Sequence, residues 1–485
     1  MMSGNKTHVR RKIDLNKRYV FPQNIKEISY KGYYLIISVE TAKWIVIKNS
    51  SQYDFYKLLR EITLAEALCK YTGSEDDAKY VITQIEGRHF TETKVQSCID
   101  YDKQVLHVYL TNSCNLRCPH CYMYAGKKME QELSTAEIKA MLHSYGLCGG
   151  KNITFSGGEI SLRTDLLEIV QYAYSEGLNI RLLSNGTLWN KGKIDFISPF
   201  INSVQISVDG YDETSNSKIR GKDSFGKSLA AIDYFIQNNV PTEIAITPWF
   251  DDDLESKINQ YAQFAKELSH RYKGKQFNIK FAHQVLEGRE VKLSTDQQKC
   301  YSDIIDRIYS LYYDQETKDY SFIALFSTPK IMDNCMYGEL SIAANGDVYF
   351  CSRIPSTTPI ANIRNTPFED ILELSKTAQQ KSNISNLKPC RDCELKYRCG
   401  GGCRLDYFPT FASCDDVISM EVENFQPRIC NEKEKEMYYD LMIKTNDKLL
   451  SSISNGFRMR IYRKIVLFIL LLHTSEQMSV LRAKR

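Results

Sequence analysis

TNSCNLRCPHCYMY, residues 111–124, decides how this chain is read. It sets Cys114, Cys118 and Cys121 in a C-x3-C-x2-C array. A short apolar run, Val105–Leu110, precedes the array and predicts a strand. Three thiolates on one tight loop suit three irons of a 4Fe–4S cube and leave the fourth iron without a protein ligand. A substrate or cofactor can bind such an open iron. The alternative is a zinc site, which normally takes four ligands. His120 is a poor fourth, because it adjoins Cys121 in sequence.

Outward from this loop the chain alternates strand and helix as far as His283. The candidate strands are Leu106–Leu110, Asn152–Phe155, Ile180–Leu183, Val204–Val208, Glu243–Ile246 and Asn278–Phe281. Helical patterns cover Thr135–Tyr145, Asp165–Ser175, Gly226–Asn238 and Asp253–Lys273. Repeated β/α units imply parallel strands with right-handed crossovers. Polar motifs fall at the strand ends. Ser156–Glu159 reads SGGE, where Gly157 and Gly158 let the backbone approach a ligand and Glu159 offers a charged acceptor. Ser184–Thr187 reads SNGT and contains Asn185. In QISVDG, residues 205–210, Ser207 and Asp209 are two apart and share one face of a strand.

The cysteine array followed by GGE resembles the radical S-adenosylmethionine (SAM) enzymes. The resemblance implies a partial (β/α)6 TIM-type barrel with its ligand site at the C-terminal strand ends. It implies a SAM-binding 4Fe–4S cluster on Cys114, Cys118 and Cys121. One electron from that cluster would cleave SAM to methionine and a 5′-deoxyadenosyl radical, which takes a substrate hydrogen. By the same resemblance the SAM amino group meets Gly157, Gly158 and Glu159, although Ile160 stands where a proline usually follows. Asn185 lies near the ribose or carboxylate, or else only caps a turn. Ser207 and Asp209 make polar contacts. Arg220, in KIRG, pairs with the carboxylate, a task for which a guanidinium fork is suited, or else forms a surface salt bridge. His120 and Tyr122 lie against adenine or simply pack.

Cysteines return densely from Cys335. Asn345–Asp347 predicts a hairpin turn before Cys351. Cys390, Cys393, Cys399 and Cys403 follow as C-x2-C-x5-C-x3-C, with Cys414 and Cys430 beyond. Paired C-x2-C units alone point to zinc. The ordered set, with Gly346 five residues before Cys351, resembles the SPASM extension of radical SAM peptide-modifying enzymes. That resemblance implies two auxiliary 4Fe–4S clusters. Cys335, Cys351 and Cys403 would serve the first, and Cys390, Cys393, Cys399 and Cys430 the second. Cys430 is preferred to Cys414 as the closing ligand because a helical run follows it. The first auxiliary cluster is then either open to a peptide side chain or closed by Cys414. Cys69, Cys98, Cys148 and Cys300 read as plain core residues.

Residues 1–95 carry no cysteine array. Three β-rich runs, Ile28–Tyr34, Leu35–Val39 and Trp44–Ile47, precede three helical patterns, Gln52–Ile62, Leu64–Tyr71 and Asp76–Ile85. Thr63 and Glu66 predict a capping box. The order resembles the winged-helix RiPP recognition element of enzymes acting on ribosomally made, post-translationally modified peptides. Such a module binds a leader peptide as an added strand; the alternative is a generic cap on the barrel. The expected fold is therefore α/β, a partial (β/α)6 barrel with an N-terminal winged-helix-like domain and a C-terminal cysteine-rich SPASM extension. The expected divisions are residues 1–95, 96–325, 326–440 and a basic helical tail, 441–485.

Composition limits the rest. A net charge of +4 gives no argument for nucleic acid. Fifteen cysteines without a secretion signal in Met1–Arg18 point to metal in a reducing cytoplasm. The run Ile465–Leu472 is far shorter than the ~20 residues a spanning helix needs; a packed tail helix is expected, with interfacial membrane contact the alternative. The function expected from the resemblance is a RiPP maturase that installs a thioether or carbon–carbon crosslink in a precursor peptide carrying a leader. A flavodoxin- or ferredoxin-type protein would supply electrons. The alternatives are a peptide epimerase or an activator of a folded protein, as sulfatase maturases are. The latter carry an aspartate base directly after the cysteine equivalent to Cys351; this chain has Ser352 there. No general base is named by the sequence.

Overall fold

A computed structural model of the chain describes residues 14–100, 104–313, 330–428 and 430–452. The apolar run Ile465–Leu472 lies outside the described residues. Strands β1 (Ile25–Tyr30), β2 (Tyr33–Ser38) and β3 (Trp44–Ile47) form an antiparallel sheet in that order. The run Ile28–Tyr34 was expected to be one strand, but it is broken by a two-residue turn. Lys31 and Gly32 both take positive φ, 47° and 81°. That turn twists with the strands it joins. Helices α1 (Ser50–Glu61), α2 (Leu64–Lys70) and α3 (Glu75–Gly87) follow. The Thr63–Glu66 capping box is present at the start of α2.

One face of this sheet buries Ile36, Ile45 and Ile47 against Phe55, Leu59, Val81 and Ile82 of the helices. The other face buries Leu35, Ile37, Trp44 and Val46 against Tyr439, Met442 and Leu449 of the helix Glu432–Ser452. The spacing of those three helix residues is that of one helical face. The last described helix thus closes over β3. Tyr80 of α3 donates to the Val46 carbonyl at 3.1 Å, and Asn446 donates to the Tyr80 hydroxyl at 2.9 Å.

A two-residue strand β4 (Gln96–Ser97) pairs with β11 (Lys330–Ile331). Between them runs the barrel: β5 (Val105–Tyr109), β6 (Asn152–Ser156), β7 (Asn179–Ser184), β8 (Ser203–Ser207), β9 (Thr242–Ile246) and β10 (Phe277–Phe281). All neighbours in this series are parallel and lie in chain order. Leu106, Val108, Ile153, Phe155, Val204 and Ile206 point outward and are at most 2% exposed. They are covered by α4 (Thr135–Leu147), α5 (Leu166–Ser175), α6 (Lys191–Ile197), α7 (Glu213–Arg220), α8 (Ser224–Gln237) and α9 (Ile258–Arg271). α10 (Thr295–Tyr312), opened by a Ser294–Gln297 capping box, packs beside α9. The alternate strand residues are polar at the lower end: Arg181 donates to Gln205 Oε1 at 2.9 Å and to Glu243 Oε1 at 2.7 Å.

The cysteine-rich extension continues the same sheet. β12 (Ser341–Ile342) pairs in parallel with β5, and β13 (Asp347–Tyr349) and β14 (Ala361–Asn362) add antiparallel strands beyond it. The expected hairpin turn is present, with Gly346 at φ 89°. No described helix is long and apolar enough to cross a membrane.

Candidate active site

The cysteine loop leaves the C-terminal end of β5, and its stem is fixed by the turn after β6. Gly158 N donates to Thr111 O at 2.7 Å and Glu159 N to Ser113 O at 2.8 Å. A Cβ on Gly157 or Gly158 would stand 2.4 Å from Thr111 O or 2.2 Å from Ser113 O. The glycine pair was expected to admit a ligand; what occupies the space beside it is the backbone of the cysteine loop. Glu132, which the sequence did not single out, takes Thr111 Oγ1 at 2.9 Å and the amides of Asn112 and Met129 at 2.8 and 3.0 Å.

Glu159 is fully buried. Its Oε1 accepts from Ser161 N at 3.0 Å and Ser184 Oγ at 2.7 Å, and its Oε2 from Asn185 N at 2.7 Å. The carboxylate therefore brackets the turns after β6 and β7. Asn185 does a similar job. Its Oδ1 accepts from Thr187 N at 2.9 Å, which is the turn-capping reading, and its Nδ2 donates to Asn115 Oδ1 of the cysteine loop at 3.0 Å.

Asp209 lies just past β8 and is 1% exposed. Its Oδ1 accepts from Thr247 N at 2.8 Å, and its Oδ2 stands 2.6 Å from Arg220 Nε and 3.3 Å from His120 Nε2. The Arg220 ion pair is thus buried, not superficial. Asp209, Cys118 and Cys114 hold the Arg220 guanidinium above its ordinary pKa against the opposing effect of burial. Burial pushes the His120 imidazole below its ordinary value. His120 Nδ1 is buried with no partner in the protein. Ser207 is the last residue of β8, two before Asp209. Tyr122 meets Tyr109, whose hydroxyl donates to Ser352 O at 2.6 Å, so β5 is tied to the residue after Cys351.

The extension brings its cysteines together in two groups. Cys390, Cys393, Cys399 and Cys430 line one cavity of about 400 Å³ with Arg428, Lys435 and Tyr438. Arg428 Nη1 lies 3.6 Å from Cys399 Sγ, its guanidinium carbon sits 4.1 Å from the centre of the Tyr407 ring, and its Nε is buried without a partner. Cys335 and Cys351 both act electrostatically on Cys403 or each other. Arg353 Nη1 donates to Cys403 Sγ at 3.3 Å and to Asp406 at 2.7 Å. Each group therefore sets an arginine against a sulfur, Arg428 buried and Arg353 half-buried, a donor set that fits thiolates. Burial pushes Cys118, Cys351 and Cys393 up to about 11 and Cys430 up to about 12. Such thiols ionise only where a cation compensates them.

Cys414 is fully buried, and its sulfur meets the Tyr337 and Thr358 hydroxyls and the Phe350 amide. Among the described residues no three His, Cys, Asp or Glu side chains converge on a single-ion position; thiolates of a cube sit on separate irons and need not. Cys69, Cys98 and Cys300 were expected in the core but are exposed, and Cys148 is half-buried. Cys300, for example, falls on the solvent side of α10, whose buried face carries Tyr301, Ile304, Ile305 and Ile308.

Residues 108–259 match the Radical SAM superfamily, and residues 334–394 match the iron–sulfur cluster-binding domain SPASM. The chain thus carries a radical SAM domain followed by a SPASM extension, and these domains imply 4Fe–4S clusters and SAM. The sporulation killing factor maturation protein SkfB of Bacillus subtilis is 32% identical over 38% of this chain. This chain spans only 47% of that relative's length. An AdoMet-dependent heme synthase of Nitratidesulfovibrio vulgaris is 26% identical over 66% of this chain and 91% of its own. The solved structure of native anSMEcpe with bound AdoMet shares the fold at a TM-score of 0.53 and 16% identity, over 72% of this chain and 100% of that one.

Proposed function

We propose that the chain matures a ribosomally made precursor peptide by radical chemistry. The observation that carries this is a continuous path of packing. The N-terminal sheet rests on the helix Glu432–Ser452, which begins two residues after Cys430, and the extension's β12 joins the barrel at β5. SkfB, named for maturation of a killing factor, adds support. When bound, the open cluster and SAM supply a 5′-deoxyadenosyl radical able to abstract a substrate hydrogen.

The chain's own residues position these groups. Cys114, Cys118 and Cys121 hold the open cluster. Cys335, Cys351 and Cys403 serve one auxiliary cluster, and Cys390, Cys393, Cys399 and Cys430 the other. Glu159 and Asn185 act on SAM through the turns they fix, because the Glu159 carboxylate is already saturated by donors from those turns. Asp209 orients Arg220 toward the carboxylate of SAM, while Ser207, His120 and Tyr122 line the approach. Closure by the barrel and extension keeps water from the reacting centre. Residues from the N-terminus to about 95 recognise the leader, and a flavodoxin- or ferredoxin-type donor supplies electrons in a cytoplasm poor in oxygen.

The test is mass spectrometry of short peptides encoded beside the gene and coexpressed anaerobically. Loss of a hydrogen pair per ring indicates a thioether or carbon–carbon crosslink. Unchanged mass with deuterium uptake from heavy water indicates epimerisation. No peptide change, together with turnover of a porphyrin, favours a second reading, radical chemistry on a porphyrin, which the long match to the heme synthase supports. Cys414→Ala separates a first auxiliary cluster closed by the protein from one that takes a peptide side chain: only the former loses iron.

A further inference from the structure

The cysteine loop has a stem and a tip. The stem, through Asn115, is bracketed by Glu132, by the SGGE turn and by Asn185. The tip carries Cys118 and Cys121, and it is gripped from the opposite side by the loop that follows β10. Arg289 spans the tip: Nη1 donates to Cys118 O at 2.9 Å, and Nη2 donates to Ala125 O. Glu290 N donates to Pro119 O at 2.8 Å, and Tyr124 Oη donates to Gly288 O at 3.3 Å. A Cβ on Gly288 would stand 2.5 Å from the His120 carbonyl carbon, so the two backbones are in direct contact.

We propose that Arg289 is a positioning residue that staples the tip shut and holds Cys118, and with it Cys121, whose amide donates to the Cys118 carbonyl at 3.2 Å, in place for the open cluster. The inference rests on the reading of Cys114, Cys118 and Cys121 as that cluster's ligands. A guanidinium donates from two nitrogens in one rigid plane, so it fixes both the separation and the orientation of the two carbonyls it joins. A lysine ammonium is a point donor on a flexible stem and joins only one of them reliably. Gly126 closes the stem on Asn112 and Cys114, and His120 and Tyr122 reach Asp209 and Tyr109 by their side chains, but none of these joins the Cys118 carbonyl to that of Ala125 as Arg289 does.

The test uses the full chain, loaded with iron and sulfide anaerobically, with Arg289→Met and Arg289→Lys. Low-temperature electron paramagnetic resonance is recorded on reduced protein with and without SAM. Only the cluster that binds SAM changes its signal when SAM is added, so the unchanged signals of the auxiliary clusters serve as an internal control of folding. In Arg289→Met the SAM-responsive signal is expected to disappear, and a chelator should remove its iron first. Arg289→Lys should retain a weaker, broader SAM-responsive signal. A signal of parental size and shape in both variants overturns the staple. Equal loss of all cluster signals in both variants also overturns it, because Arg289 would then support the fold in general. A parent that shows no SAM-responsive signal would instead overturn the reading of the cysteine loop itself.

Discussion

Replacing Glu159 by glutamine tests whether this residue is a bracket or a ligand. The amide must put a nitrogen where one carboxylate oxygen stood. At Oε1 it would face donors from Ser161 and Ser184, so the less costly choice puts it at Oε2, opposite the Asn185 amide. Two donors then face each other at a fully buried side chain. A bond to a charged acceptor contributes about 1.5–3 kcal/mol, and an unmet buried donor costs about 1–3 kcal/mol. A local destabilisation of about 3 kcal/mol corresponds to roughly a hundredfold change in an opening equilibrium. Hydrogen exchange followed by mass spectrometry on anaerobic protein without SAM reads that opening directly. The peptide covering Ser184–Thr187 should exchange about a hundredfold faster in Glu159→Gln, while peptides from α10 stay unchanged. Parental exchange at Asn185 combined with weakened SAM binding would refute the reasoning and make the carboxylate a direct ligand.

Asp209→Asn should lower the anaerobic unfolding midpoint by an amount equivalent to about 3–5 kcal/mol, since it takes from the buried Arg220 its nearest counter-charge; an unchanged midpoint would show that the pair is dispensable. Gly158→Ala forces a Cβ to within 2.2 Å of Ser113 O, so the cysteine loop must shift; iron analysis should show a deficit of one cluster with the auxiliary signals intact. Met442→Ala removes a fully buried side chain between the N-terminal sheet and the last helix. It should cost about 2–5 kcal/mol and speed hydrogen exchange in Glu432–Ser452 and β3 together.

The barrel was legible because its strands are short apolar runs ending in polar motifs, and all six lie within a residue or two of expectation. α6 and α7 were missed: seven and eight residues give too little periodicity to read. α10 was missed although Ser294 and Gln297 form a capping box, because the reading stopped at the last strand. The split of Ile28–Tyr34 was hidden in Lys31-Gly32, an unusual pair for that turn. The cysteines announce themselves by their spacing, but Glu132, Thr247 and Arg289 left no trace. They act on backbone atoms far away in sequence, and no periodicity records such contacts. The packing of the SGGE glycines on the cysteine loop is hidden for the same reason, since a distant stretch of backbone supplies the contact.

A three-stranded sheet has two rims, and here they are unequal. All of Trp44–Ile47 is at most 1% exposed, its Val46 carbonyl is taken by Tyr80, and the Lys48 amide is taken by Gln52. On the far rim Lys26, Glu27 and Ser29 stand in solvent. Any guest chain that lengthens this sheet without prising off the terminal helix must therefore line up beside Ile25–Tyr30, on the side remote from Trp44.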